Sequence, residues 1–271
     1  MGSICSSATA KKVVAALGKS LLNKLGLNFS LDEWIKAHND GTIEENTSEL
    51  ASYGTDLSKC GTLPTNLNKA VFICCNTYTR PDYSLGVGPM NDSITVASYM
   101  KSIGFSVYYA HNPKSTEFMT YFKHFLQNTQ QYLIVYYTGH GGSMKDLNGD
   151  DADQCDEALV FDDAFLVDDK LLDAIKSSRK PNNCKVILLT DCCHSGSIYD
   201  LQSGSNLPPN IMSLSAARDS ETAKQTSMEG KDQGIFTFYF FKLLQQTPTL
   251  TPTTMETQIN KYISKYEQVF T

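Results

Sequence analysis

From Ala70 onward the chain alternates short, wholly apolar runs with amphipathic stretches. Val71-Phe72-Ile73-Cys74-Cys75, Tyr132-Leu133-Ile134-Val135-Tyr136-Tyr137 and Val186-Ile187-Leu188-Leu189-Thr190 are apolar on both alternating faces, the pattern of strands covered on two sides in a parallel sheet. Further strands are expected at Phe105-Ser106-Val107-Tyr108-Tyr109, from Ala158 to Phe161, and at Ile211-Met212-Ser213-Leu214-Ser215. Helices fall between them. Ser93 to Ile103 is closed by Gly104, Phe118, Phe122, Phe125 and Leu126 recur at helical spacing, and Lys170 to Ile175 continues the alternation. Helices from Phe236 to Leu244 and from Met255 to Val269 finish the chain. The pattern predicts an α/β fold, a mostly parallel β-sheet flanked by helices on both faces, with ligands at the carboxyl ends of the strands.

Residues 1–65 read differently. Lys11, Lys12, Lys19 and Lys24 precede the first acid, Asp32, and Val13, Val14, Leu17, Leu21 and Leu25 keep helical spacing. Polar residues around Asn46-Thr47-Ser48, and then Gly61-Thr62-Leu63-Pro64, read as linker. The expected division is a basic N-terminal extension and linker over 1–65 and one large domain over 66–271. The extension is read either as a pro-segment or as a helix packed on that domain. Met1-Gly2-Ser3-Ile4-Cys5-Ser6 fits a myristoylation pattern at Gly2, with Cys5 placed for a second acyl chain beside the lysines. The expected location is cytoplasmic, with membrane anchoring through that N-terminus, because no apolar run is long enough to span a bilayer and no secretory signal is recognisable.

Composition narrows the function. With 19% charged and 41% hydrophobic residues the chain can build a core, and its net charge of −6, without a basic stripe carrying aromatics, argues against nucleic acid as a partner. The eight cysteines include two vicinal pairs and no metal-type pair. They read as reduced thiols, and neither a disulfide framework nor a zinc site is expected.

Two loops leave the ends of apolar strands with reactive residues: Tyr137-Thr138-Gly139-His140-Gly141-Gly142 and Asp191-Cys192-Cys193-His194-Ser195-Gly196. About fifty residues separate His140 from Cys193, the spacing of a caspase histidine ahead of its cysteine. A thiol attacks a carbonyl as thiolate, and an imidazole can take its proton and later deliver it to the leaving amine. The glycines let backbone approach a substrate closely, so that N–H groups can receive an oxyanion. Alternation along the strand end places Asp191 and Cys193 on one face and Cys192 and His194 on the other. Cys192 is thus expected to fill core and His194 to be a structural hydrogen-bonding histidine, while His111 and His124 are expected to be surface or satisfied polar residues.

YYTGHGG followed by DCCHSG resembles the signature pair of metacaspases, in the caspase-like cysteine peptidase clan. Supporting segments occur in the family's order: Gly88-Pro89-Met90-Asn91-Asp92, Asp156-Glu157-Ala158-Leu159-Val160, Val167-Asp168-Asp169-Lys170-Leu171 and Ser215-Ala216-Ala217-Arg218-Asp219-Ser220-Glu221. The resemblance covers roughly residues 70 to 245 and implies a caspase-like fold over 66–271. It implies a catalytic dyad of His140 and Cys193, an oxyanion site at the backbone of Gly141 and Cys193, and cleavage of protein or peptide substrates after Arg or Lys; the expected state is a monomer. Asp92, Thr138 and Asp191 would line the pocket for the basic side chain, where carboxylates hold a guanidinium and repel an aspartate. Taken alone, Asp92 could instead cap a helix beginning near Ser93. Thr138 and Pro89 depart from the Ser and Cys that relatives often carry. A non-catalytic caspase-fold module and a peptidase cutting after Asp or Asn are the alternatives; the intact His140 and Cys193 oppose the first, and the acids oppose the second.

Asp146, Asn148, Asp150, Asp151, Asp153, Asp156 and Glu157 crowd one loop, with Asp162, Asp163, Asp168, Asp169 and Asp173 soon after. Such density of hard oxygen ligands suggests calcium. An EF-hand is rejected, because Asp151 stands where the turn requires glycine and a strand is expected to follow. The resemblance implies instead an activating calcium ion at Asp156, Asp168, Asp169 and Asp200.

Overall fold

The computed structural model describes residues 41–145, 155–178, 184–192, 210–216, 225–228, 231–246 and 252–263. Helix α1 (Ile43–Tyr53) leads into the short strand β1 (Thr55–Asp56), then β2 (Leu67–Cys75), α2 (Gly88–Ser102), β3 (Ser106–His111), α3 (Ser115–Asn128) and β4 (Thr129–Thr138). Three short strands follow, β5 (Gly141–Lys145), β6 (Cys155–Val160) and β7 (Phe165–Val167), then α4 (Asp168–Ser178), β8 (Lys185–Asp191) and β9 (Ile211–Ser215). A hairpin of β10 (Gln225–Met228) and β11 (Lys231–Gly234) precedes α5 (Ile235–Gln246) and α6 (Pro252–Ile263).

Six strands form one parallel sheet in the order β1-β3-β2-β4-β8-β9. The expectation of a parallel sheet covered on both faces holds. In β2, Val71, Ile73 and Cys75 face a core shared with Ile94 of α2 and Phe236 and Phe240 of α5. Ala70, Phe72 and Cys74 face the opposite core, with Phe118, Phe122 and Phe125 of α3 and Leu171 and Ile175 of α4. Phe72 stacks on Phe125 at 5.4 Å between ring centroids. β5, β6 and β7 make a separate antiparallel sheet that grows directly out of the β4 loop.

Two boundaries differ from expectation. The polar stretch around Asn46-Thr47-Ser48, read as linker, is part of α1. Its start is a reciprocal capping box: the Glu45 carboxylate accepts the Thr42 N–H at 2.8 Å, and the Thr42 hydroxyl accepts the Glu45 N–H at 3.2 Å. Leu50 and Tyr53 then enter the α2 core, and the Asn46 amide donates to Asn91 Oδ1 at 3.0 Å. Helix α2 begins at Gly88 rather than near Ser93, with Pro89 in its first turn, so Asp92 lies inside the helix and does not cap it. The final helix is described only as far as Ile263; the expected continuation to Val269 lies outside the described residues.

Among the described residues no helix is long and apolar enough to cross a membrane. The described cysteines Cys60, Cys74, Cys75, Cys184 and Cys192 are all free thiols, and burial pushes that of Cys75 up to about 12. The contribution of α1 can be measured. Leu50→Ala is expected to lower the unfolding free energy by about 2 to 5 kcal/mol in urea titrations; a loss under about 1 kcal/mol would place α1 outside the cooperative core.

Candidate active site

Parallel pairing brings three strand ends to one level: Cys75 pairs with Thr138, and Thr138 with Asp191. Their side chains lie on the α2 and α5 side of the sheet, because alternation continues from Ile73, Tyr136 and Leu189 in that core. Cys192, one residue beyond Asp191, is buried in the opposite core, the filler role expected of it. The chain therefore leaves β4 and β8 at adjacent points, and the Gly139 N–H reaches the Asp191 carbonyl at 3.5 Å. Cys193, His194 and Asp200 lie outside the described residues, as do Gly2 and Cys5.

His140 is held by ring and by backbone. Its Nε2 lies 2.8 Å from the Tyr83 carbonyl oxygen. A carbonyl can only accept, so Nε2 carries the hydrogen and Nδ1 is left as the acceptor of the neutral ring. The imidazole also packs on Tyr78, with centroids 4.9 Å apart, and edge-on to Tyr83 at 6.0 Å. The His140 N–H donates to the Tyr78 hydroxyl at 2.5 Å, and that hydroxyl donates to the Val160 carbonyl at 3.0 Å. The Tyr137 hydroxyl lies 2.8 Å from the His140 carbonyl and also 2.8 Å from that of Val160. With Tyr78 serving Val160, the single Tyr137 proton is left for His140. Gly139 fits between these phenols because it lacks a side chain: a Cβ there would stand 2.7 Å from the Tyr78 hydroxyl and 3.0 Å from the Tyr137 hydroxyl.

Gly141 opens β5. Val160 donates its N–H to the His140 carbonyl at 3.1 Å, which makes Gly141 and Leu159 a non-hydrogen-bonded antiparallel pair. In such a pair the amides point away from the partner strand, so the Gly141 N–H is turned out of the β5–β6 ladder.

On the other side of the sheet end, two carboxylates meet across Gly234. Asp92 is fully buried on α2 and accepts the Gly234 N–H, with its oxygens 2.9 and 3.1 Å away. Asp191 accepts the Thr237 hydroxyl at 2.5 Å and the Thr237 N–H at 3.3 Å, while Tyr136 bonds the same hydroxyl at 2.8 Å. Thr237 spends its one proton on Asp191 and so accepts from Tyr136. A Cβ on Gly234 would collide with Asp191 Oδ2 and stand 3.1 Å from Asp92 Oδ2, so both carboxylates pack against Gly234. Burial pushes Asp191 up to about 6, against the Thr237 bonds that lower it. Thr138, buried, adjoins Asp191 in register.

The acidic loops divide by role. Asp162 and Asp163 are clasps, accepting from Thr79 and Arg80 and from Ser115 respectively. Asp168 opens α4 as a buried carboxylate that accepts the Asp169 N–H at 2.8 Å. Buried Glu157 precedes Ala158, the partner of Val167, so it lies within β6 at the level of Asp168. Asp156 pairs with Met144 in β6; its side chain and Asp200 lie outside the described residues. Among the described residues no three metal-ligating side chains converge. The described carboxylates at the start of α4 are oxygen donors of the kind that suits a hard cation such as calcium. The strand expected from Ala158 to Phe161 is β6, which begins earlier, at Cys155, and a strand in that place is consistent with the rejected EF-hand. His111 and His124 have the bland roles expected of them, bonding the Thr77 hydroxyl at 2.8 Å and the Pro64 carbonyl at 2.6 Å.

Tyr78, Tyr83, Gly234 and Thr237 were not anticipated from sequence. Only Gly234 immediately before the apolar Ile235-Phe236 run offers a signal, a glycine at a strand-to-helix junction.

A parallel sheet with helices on both faces and a histidine loop at its carboxyl edge defines a caspase-like α/β protein. Solved structures with this fold include protein GSU0716 of Geobacter sulfurreducens, with TM-score 0.56 and 15% identity over 75% of this chain and 92% of that one. Caspase-1 of Spodoptera frugiperda is similar at TM-score 0.53 and 15% identity, over 74% of this chain and 79% of that one. The caspase domain family model matches residues 67–270, and the chain belongs to that peptidase family. Its curated relatives are metacaspases. It is 25% identical to metacaspase-1 of Mycosarcoma maydis over 199 residues, 50% of each protein. To metacaspase-1 of Arabidopsis thaliana it is 26% identical over 142 residues, 42% of this chain and 39% of that one. The chain spans about half the length, or less, of the curated relatives it matches.

Gly139→Ala is expected to cost about 1 to 3 kcal/mol in stability, because the new methyl overpacks the phenol pair. Thermal unfolding checks this, and an unchanged melting temperature would show that the phenols can retreat.

Proposed function

We propose that this chain is a cysteine endopeptidase that cuts after Arg or Lys, with His140 and Cys193 as its catalytic dyad. The orientation of His140 carries the reading. Its hydrogen-bearing nitrogen is fixed on a backbone carbonyl, and its basic nitrogen is kept at the exit of β4, beside the exit of β8 from which the Cys193 loop departs. In the proposed reaction the Cys193 thiol gives its proton to His140, and its sulfur bonds the substrate carbonyl carbon. The resulting oxyanion is received by N–H groups at Gly141 and Cys193. The C–N bond then breaks as His140 returns the proton to the leaving amine, and water, deprotonated by the same ring, releases the acyl group.

The side chain before the cut is proposed to enter beside Asp92 and Asp191, next to Thr138. Two carboxylates gathered around Gly234 favour a cation beside them and oppose an aspartate. Calcium is proposed at Asp168 and Asp169 with Asp156 and Asp200; when bound it would supply positive charge that draws these acids together.

Fluorogenic peptides ending in Arg, Lys, Asp or Asn, each with calcium or chelator, test the scheme. Arg and Lys peptides should be turned over only by protein carrying both His140 and Cys193, with the rate raised by calcium. Equal turnover by Cys193→Ala or His140→Ala sinks the dyad, preference for Asp sinks the pocket, and indifference to chelator sinks the metal.

The raised Asp191 carboxyl gives a second test. Because a proton competes with a bound cation, competitive inhibition by a small alkylguanidine should weaken by about tenfold for each pH unit below about 6, and this slope should vanish in Asp191→Asn. For folding the sign reverses. A buried acid raised to about 6 disfavours the folded state at neutral pH, and that cost is relieved as pH falls through 6 toward 3.8. A pH-independent inhibition constant in the parent protein would remove Asp191 from the pocket.

A further inference from the structure

The loop that supplies the Tyr83 carbonyl is itself gripped by the turn between β6 and β7. Asp162 Oδ2 accepts the Thr79 N–H at 2.9 Å and the Thr79 hydroxyl at 2.8 Å, while Oδ1 accepts the Arg80 N–H at 3.3 Å. Burial pushes this carboxyl up, but the bonds from Thr79 and Arg80 and the nearby Arg80 charge outweigh it and hold Asp162 below its ordinary value. It is therefore an ionised clasp at neutral pH. Arg80 lays its guanidinium 4.3 Å from the Tyr83 ring centroid. Pro81 to Tyr83 form a single 3-10 turn closed by the Ser84 N–H on the Pro81 carbonyl at 3.2 Å. Thr79 to Tyr83 is thus one compact piece, with Asp162 at its first residues and the His140 ring at its last.

The same hairpin also holds the backbone of His140. Val160, two residues before Asp162, donates its N–H to the His140 carbonyl and accepts the hydroxyl of Tyr78, which in turn receives the His140 N–H. Asp163 ties the turn to the body of the domain, accepting the Ser115 N–H at 2.9 Å and the Ser115 hydroxyl at 3.0 Å at the start of α3. Both grips on His140 are rooted in this one turn. Asp162 touches neither the imidazole nor the strand ends, so its influence on His140 passes through Tyr83.

We propose that Asp162 is a positioning residue for His140: by fixing the Thr79–Tyr83 loop it sets the place of the Tyr83 carbonyl and thereby the direction of the basic nitrogen. The inference rests on His140 being the proton carrier. It requires that loosening the clasp slow the chemical step and thiol activation while leaving substrate affinity alone.

The test uses full-length Asp162→Ala, Asp162→Asn and Thr79→Val, assayed for kcat and KM on an Arg peptide and for the rate of Cys193 alkylation by iodoacetamide. Asp162→Ala is expected to lose about ten- to hundredfold in kcat, with KM within about twofold and alkylation slowed in parallel. Asp162→Asn keeps one acceptor oxygen for Thr79 and should recover part of the loss. Thr79→Val removes one of the three bonds without changing shape; it should lose less, and it supplies the answer if Asp162→Ala does not fold. A normal kcat per folded molecule in the folded variants, or KM rising in step with the fall in kcat, overturns the positioning role. Dead His140→Ala and Cys193→Ala proteins beside fully active Asp162 and Thr79 variants would refute this inference alone, whereas active His140→Ala protein would refute the dyad reading beneath it.

Discussion

The shared register of β2, β4 and β8 is the constraint on which the site depends. Parallel pairing has no adjustable turn between neighbours, so the level at which each strand ends is set by which residues face the two cores. A slip of one residue in β8 would move Asp191 to the α3 and α4 side and bring Cys192 to the α2 and α5 side. It would also carry Leu188 and Leu189 into the wrong cores, so the apolar pattern that stabilises the sheet fixes the chemistry at its edge.

Above that level the structure relies on groups whose hydrogen-bonding role admits one sense. The Tyr83 carbonyl can only accept, which decides the His140 tautomer, and a phenol has one proton, which decides how Tyr78 and Tyr137 share two carbonyls. Tyr78 reaches its position with a φ of +65°, unusual for an aromatic residue, and Asn112 Oδ1 holds it there by accepting the N–H groups of Thr77 and Tyr78 at 2.8 and 3.0 Å. The strained residue belongs to the loop that carries Tyr83, and its restraint comes from Asn112, just after β3.

The parts of this arrangement visible in sequence are those with local, repeated signals. Strands β2, β4 and β8 stand out because they are apolar on both faces, and the expected span of β9, Ile211–Ser215, matches the structure. Helix α1 was hidden by its polar composition, although Thr42-x-x-Glu45 is a capping-box signal in plain view. The start of α2 was placed late because Gly88-Pro89 reads as a breaker, whereas proline in a first turn lacks only an N–H that has no helical partner anyway. The bonds of Thr237 and Gly234 were hidden for another reason: they reach Asp191 and Asp92 across 46 and 142 residues, and although Gly234 marks a strand-to-helix junction, no local pattern announces such a bond. The Tyr83 carbonyl is harder still, since a backbone atom leaves no mark on residue identity.

Under the proposed specificity, the paired acids are the part of the fold that would receive a cation. A buried carboxylate costs several kcal/mol in desolvation unless donors replace its water. Here the Gly234 N–H and the Thr237 hydroxyl supply neutral donors that carry no formal charge, so the negative charge is bonded but not cancelled by those groups. Asp191 registers the difference by holding its proton to about 6. Against such a pair a guanidinium adds what the neutral donors cannot, a full opposing charge, while the acids have been desolvated and oriented before it arrives. In the proposed function, cation selectivity would be preorganised by the α2 to β11 contact and the β8 to α5 contact, and it would for that reason be a property of the whole sheet edge rather than of two acidic side chains.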